Sequence, residues 1–195
     1  MTNSPEIIAH VDGASRGNPG PAAYGVAIET AGGEPVTAFG KYLGETTNNF
    51  AEYQGLLAAL EYALSHHYSR LNVVTDSELM VRQIEGRYKV RSPDLKLLYD
   101  RAQALIRCLK SFSIRHVLRE YNREADRLAN KALDAAERGV LPSPAPRVPS
   151  SQAPSPAPAG HFRVAATFQS GILKPHTRLP LFEGEEVNLE IRRKE

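Results

Sequence analysis

The strongest constraint on this chain is a segment that cannot contribute to a core. Seven of its 14 prolines fall between Pro142 and Pro158, in a run of Pro, Ala and Ser from Leu141 to Ala159. Such a run has no periodic apolar face, and proline removes backbone donors and favours extended chain. It reads as a linker. The 195 residues are therefore expected to divide into a body (residues 1–139), a Pro/Ala/Ser-rich linker (140–160) and a tail (161–195). The body has the length of one ordinary domain. The tail is shorter than the roughly 40 residues that usually fold unaided.

Within the body, strand and helix signals alternate. Ile7–Asp12 is a short apolar run that ends in an acid, and Ala23–Glu29 and Val36–Leu43 read as two further strands about the turn Gly32-Gly33. The period then changes: Tyr53, Leu56, Leu57, Leu60 and Leu64 fall at helical spacing. Leu71–Asp76 reads as a buried strand, again closed by an acid. Leu79, Val81 and Ile84 predict a short helix. Leu95, Leu98, Ala102, Leu105, Ile106 and Leu109 predict a longer one, with Ser92-Pro93 at its start and the lone Cys108 packed inward. Ser113–Leu118 is a strand, and Asn122–Glu137 a helix packing through Ala125, Leu128, Ala129, Ala132 and Leu133. The order implies an α/β fold with a mixed sheet.

Composition narrows the class. One Cys excludes an internal disulfide framework and a Cys-rich zinc site. No run approaches the roughly 18 apolar residues of a membrane span, and Met1–Pro5 lacks the features of a signal peptide, so a soluble, cytoplasmic protein with no membrane partner is expected. The net charge of +2 hides a segregation. Residues 1–81 carry 3 basic and 9 acidic groups, and residues 82–131 carry 13 basic and 6 acidic groups. A segregated charge can focus a field on an anionic ligand.

The informative residues are acids on apolar elements: Asp12, Glu52, Asp76 and Asp126. Singly, each has a plain structural reading. Asp12 suits a turn before Gly13, Glu52 a helix dipole, Asp76 a helix cap and Asp126 a solvated edge. Jointly they suggest more, because ligands in open α/β sheets gather where strand ends meet helices. Asp12 and Asp76 would converge there if their strands are adjacent. Four carboxylates in one hollow repel, and hard divalent cations with oxygen ligands relieve that repulsion. Two such ions about 4 Å apart suit in-line displacement at a phosphate diester.

Four blocks in order carry a family resemblance. Asp12–Gly25 resembles the first-strand motif of type 1 ribonucleases H; Thr46–Leu56, with Thr47-Asn48-Asn49 and Glu52, resembles the family's T-N-N-x-x-E helix start; Thr75-Asp76-Ser77 resembles its D-S strand end; and Asn122–Ala132 resembles its final helix. The similarity covers about residues 6–137 and implies a ribonuclease H-like mixed five-stranded sheet flanked by helices. It also implies an endonuclease that hydrolyses the RNA strand of RNA–DNA hybrids with two Mg²⁺ or Mn²⁺ ions, leaving 3′-hydroxyl and 5′-phosphate ends. Asp12 would bridge both ions. Asp126 would serve the ion that activates water, and Glu52 and Asp76 the ion at the leaving oxygen. Asn18, Asn48 and Asn49 match positions that contact the hybrid; an amide, donor and acceptor at once, suits a 2′-hydroxyl. Arg16 and Arg119 join them as expected substrate contacts. Gly13, Gly17 and Gly20 are expected to shape a tight loop.

The sequence departs from the family pattern in two places. Many members carry a mobile His in a loop before the last Asp. Here His116 alternates with Ile114 and Leu118, as a strand residue does, and the text around Arg119 and Asn122 is more similar to a bacterial and archaeal subgroup without that His. No Trp-bearing basic protrusion is present, although Arg87, Lys89 and Arg91 supply cations suited to DNA phosphates. In the tail, His161–Phe168, Gly171–Pro175 and Leu179–Ile191 resemble a small all-β family of putative antitoxins, and a unit so short implies a homodimer or a docked protein partner. The alternatives are a non-catalytic hybrid- or RNA-binding module of the same fold, and a nuclease that also cuts double-stranded RNA.

Overall fold

The computed structural model describes residues 6–139, 166–169 and 172–175. The chain forms two units, Met1–Arg147 and Val148–Glu195. In the first, β1 (Glu6–Ser15), β2 (Gly20–Thr30) and β3 (Pro35–Thr46) precede α1 (Asn48–Ser65), β4 (Arg70–Thr75), α2 (Glu78–Ile84), α3 (Pro93–Ile106) and β5 (Ser111–His116). A single 3₁₀ turn (Arg119–Tyr121) then leads into α4 (Arg123–Glu137). In the second unit, β6 (Ala166–Gln169) and β7 (Ile172–Pro175) pair antiparallel. The expected linker and the stretch Leu179–Ile191 lie outside the described residues, and of His161–Phe168 only residues 166–168 are described, in β6.

The five strands form one sheet in the order β3-β2-β1-β4-β5. The first three are an antiparallel meander, and β4 and β5 join parallel to β1, giving the expected mixed sheet. Alternation in β1 buries Ile7, Ala9 and Val11 against Leu56, Leu57 and Leu60 of α1 and against Leu71 and Val73 of β4. Burial at both α1 and the central strands makes this the main core. At roughly 25 cal/mol per Å² of apolar surface, it is the chief source of stability. Helices α1, α2 and α3 each start on a cap: Thr47, Ser77 and Ser92 accept from the backbone N–H three residues on.

The second face is covered differently. Gly25 of β2 stands opposite Asp12 of β1 on one side and Gly40 of β3 on the other. A Cβ at Gly25 would lie 2.1 Å from the Ala125 carbonyl oxygen and 2.7 Å from the Ala129 nitrogen; one at Gly40 would lie 2.5 Å from the Leu128 carbonyl oxygen. Helix α4 thus rests its own backbone on a two-glycine seat, through the small residues Ala125 and Ala129, both fully buried. Directly opposed residues of antiparallel strands share a face. Asp12 is therefore on the α4 side of the sheet.

Two local expectations are corrected. Asp12 and Gly13 do not end β1, which runs on to Ser15; Gly13 is a strand residue rather than part of the loop. Cys108 lies beyond the end of α3 and is exposed, because the inward stripe of that helix stops at Ile106 and a turn carries the chain to β5.

Replacing Gly25 by Ala is expected to cost about 3 kcal/mol, the scale of core overpacking, because the clash is with backbone that cannot rotate away. Gly32→Ala, whose Cβ would meet only Thr30 Oγ1 at 3.6 Å, should be nearly neutral. Urea midpoints compare the two; equal midpoints would refute the seat.

Candidate active site

The parallel pairing of β1 with β4 ends at His10–Val74. Two residues on, level with one another beyond the last bridge, stand Asp12 and Asp76. The strands are adjacent, as the convergence of these two acids requires. Asp126 arrives on the first turn of α4, carried to the Asp12 face by the glycine seat. Glu52 arrives from α1 on the opposite face. Its backbone comes so close to β1 that a Cβ on Gly13 would lie 2.3 Å from the Glu52 nitrogen. Glu52 is the fifth residue of α1, just past the first turn in which a helix-dipole role would place it.

Asp12 and Glu52 are buried. The carboxyl of Asp12 is pushed up to about 8, first by burial and then by the charges of Asp76, Asp126 and Glu52; the Gly13 N–H, which donates to its Oδ1 at 2.9 Å, opposes this. Glu52 is pushed up to about 7 by burial, against the bond from Ser77 and with a further push from Asp76. The other three acids therefore all act on Asp12. They do not close into a cage: among the described residues no three His, Cys, Asp or Glu side chains are gathered tightly enough to enclose an ion.

Each outer acid instead has its own donor. Asn48 Nδ2 donates to Glu52 Oε1 at 2.9 Å, and Ser77 Oγ donates to Glu52 Oε2. Asn122 Nδ2 donates to Asp76 Oδ1 at 3.1 Å. Arg119 Nη2 donates to Asp126 Oδ1 at 2.5 Å. Ser77, rather than Asp76, caps α2. A set of hard oxygen donors around a buried Asp12 whose ionisation the neighbouring charges oppose fits a divalent cation, since cation charge is what such a cluster lacks.

The other expected residues surround this centre. Asn18 Oδ1 accepts from the Asn48 backbone N–H at 3.3 Å, tying the β1–β2 loop to the start of α1. Asn49 is half-buried in the first turn of α1. Arg16 does not reach the acids; it pairs with Asp134 and Glu137 on α4. The Arg119 side chain is 74% exposed at the rim. His116 ends β5 opposite Thr75, and only six residues separate it from α4. Two residues of the cluster were not singled out from sequence. Ser77 and Asn122 lie inside the family-like blocks, but their partners are 25 and 111 positions away.

Comparison with known proteins agrees with this geometry. Residues 10–132 match a family described as reverse transcriptase-like. The chain is 44% identical over 130 residues to ribonuclease HI of Halobacterium salinarum, covering 67% of this chain and 65% of that protein. A crystal structure of that organism's RNase H1 superposes with a TM-score of 0.65 at 43% identity, over 66% of this chain and 98% of the other. The chain belongs to the ribonuclease H family. Bifunctional protein Rv2228c of Mycobacterium tuberculosis is 45% identical over 136 residues, which span 69% of this chain but only 37% of that protein. LC11-RNase H1, solved in complex with an RNA/DNA hybrid, matches at 40% identity and a TM-score of 0.64, over 68% of this chain and 99% of the other. The five-stranded sheet described above is the ribonuclease H fold.

Burial and repulsion at Asp12 predict a stability effect with a defined sign. The folded carboxyl holds its proton up to about pH 8, whereas the unfolded one, with a value of 3.8, releases it earlier. Stability without divalent ions should thus fall as pH rises from about 4 to 8. Asp12→Asn keeps the acceptor for Gly13 and removes the penalty. In EDTA it should stabilise the fold near pH 7 by about 1–3 kcal/mol, and the gain should shrink toward pH 4. A pH-independent difference in denaturation midpoint would contradict this.

Proposed function

We propose that this chain is an endonuclease that hydrolyses the RNA strand of RNA–DNA hybrids, using two Mg²⁺ or Mn²⁺ ions and leaving 3′-hydroxyl and 5′-phosphate ends. The observation that carries the proposal is a buried Asp12 on β1 of a ribonuclease H fold with three further carboxylates acting on it, Glu52 from α1, Asp76 from the end of β4 and Asp126 from α4. Binding alone gives no reason to crowd four acids.

In this reading Asp12, Glu52, Asp76 and Asp126 would hold the ions. When bound, the ions lower the pKa of water and stabilise charge on the leaving oxygen. The protein supplies no nucleophile. Its backbone fixes the acids, and Asn48, Ser77, Asn122 and Gly13 each fix one carboxylate oxygen. Arg119 is a fixed cation beside Asp126 and cannot shuttle a proton near neutrality, so its role is to attract the phosphate. Asn18, Asn48 and Asn49 sit where the β1–β2 loop meets α1, and we assign their amides to the sugar edge of the hybrid. Arg16 acts through α4, which it ties to that loop. The short path from His116 to α4 supports placing the chain with members that lack a mobile catalytic histidine.

We also assign residues 1–139 to the catalytic domain, 140–160 to a linker and 161–195 to a small β module like that of the putative antitoxins. The β6–β7 hairpin supports the last assignment. On the expectation that so small a unit needs a partner, removal of all residues after Gly139 should convert a dimer into a monomer in sedimentation. A truncated chain that stays dimeric would refute that role.

Labelled RNA–DNA hybrid, double-stranded RNA and duplex DNA, each with Mg²⁺ or Mn²⁺, test the activity directly. Only the hybrid should be cut efficiently, and only in the RNA strand. Asp12→Asn or Glu52→Gln should lower kcat by about 10²–10⁴-fold, the effect of losing several kcal/mol of charge stabilisation. Absence of metal-dependent cutting of any hybrid would defeat the proposal.

A further inference from the structure

Asn122 is 1% exposed, and every bond of its amide crosses between elements. Nδ2 donates to the Val11 carbonyl oxygen at 2.9 Å and to Asp76 Oδ1 at 3.1 Å. Its backbone carbonyl accepts from Asp126 N–H at 3.1 Å, and its own N–H donates to the Arg119 carbonyl at 3.0 Å. One residue thus touches the strand just before Asp12, the Asp76 side chain and the backbone of Asp126.

Its place in the sheet explains the first two bonds. The β1–β4 ladder stops at His10–Val74, so the Val11 carbonyl lies just beyond the last bridge. The Asn122 amide accompanies β1 and β4 past the end of their ladder, bonded to the carbonyl of Val11 and the side chain of Asp76. It joins the two strands where two candidate ligands must stand level.

The orientation is costly in itself. An asparagine before a helix normally turns its oxygen toward the free helix N–H groups. Asn122 occupies that position on α4 and makes no side-chain cap. Its Oδ1 is instead buried without a partner. A flipped amide would satisfy neither acceptor, since the Val11 carbonyl and Asp76 both need a donor. Stability alone would favour an apolar side chain or a proper cap at this place.

From this geometry we infer that Asn122 is a positioning residue for the ion site, holding Asp76, the Asp12 strand and the start of α4 in one frame. The inference rests on the reading of the four acids as ion ligands. Groups that orient metal ligands typically change metal affinity or activity by about 10–100-fold when removed.

The test compares Asn122→Ala and the nearly isosteric Asn122→Leu with the wild-type protein, far below their melting temperatures. Two readouts are taken: Mn²⁺ binding followed by electron paramagnetic resonance without substrate, and kcat against KM for hybrid cleavage. Both variants should bind Mn²⁺ about 10–100-fold more weakly and lose kcat in parallel, with KM for the hybrid nearly unchanged. Folded variants with wild-type Mn²⁺ binding would overturn the inference, and so would loss of the fold in both. If wild-type protein binds Mn²⁺ but cuts no hybrid, the proposed activity fails while the Mn²⁺ comparison still decides the role of Asn122.

Discussion

Two helices meet the sheet with their backbones, and those contacts decide where the acids stand. At Gly13 the start of α1 lies where a Cβ would be, and at Gly25 and Gly40 the backbone of α4 does the same from the other face. Side chains at these positions would hold the helices away by a methyl group or more, and Glu52 and Asp126 with them. Interiors packed to crystal-like density have no slack to restore such a loss. The site is thus built from main chain first and carboxylates second.

The electrostatics work against the fold. Asp12 is buried among three like charges and resists ionisation up to about pH 8. A core of Ile7, Val11, Leu56, Leu60, Leu71 and Val73 lies directly behind it and supplies the stability that tolerates this. The donors arrayed on the outer acids moderate the repulsion without removing it. A cluster left short of positive charge in this way is disposed toward a divalent cation, and a substrate with phosphates meets Arg119 at the rim.

Much of this was legible in the sequence because it repeats locally. The 3.6-residue period of Leu56, Leu57 and Leu60, the alternation in Ile7–Val11 and the Ser92-Pro93 start of α3 each express one element's own geometry. The four acids were legible because an acid on an apolar element conflicts with its surroundings. What escaped depends on partners far away in the chain. Gly13 looked like a loop glycine, since nothing nearby shows that α1 will land on it. Asn122 and Ser77 looked like motif neighbours, since Val11 and Glu52 lie 111 and 25 positions away. Cys108 followed the apolar stripe of α3 past the point where the helix stops.

Anomalous diffraction at the manganese edge, from crystals of the full chain grown with Mn²⁺ and a non-cleavable hybrid, tests the central claim most directly. Two peaks are expected, both in contact with Asp12 and flanked by Glu52 and Asp76 on one side and Asp126 on the other. Manganese bound elsewhere, or at these acids without touching Asp12, would contradict the assignment of this cluster as a two-ion catalytic centre.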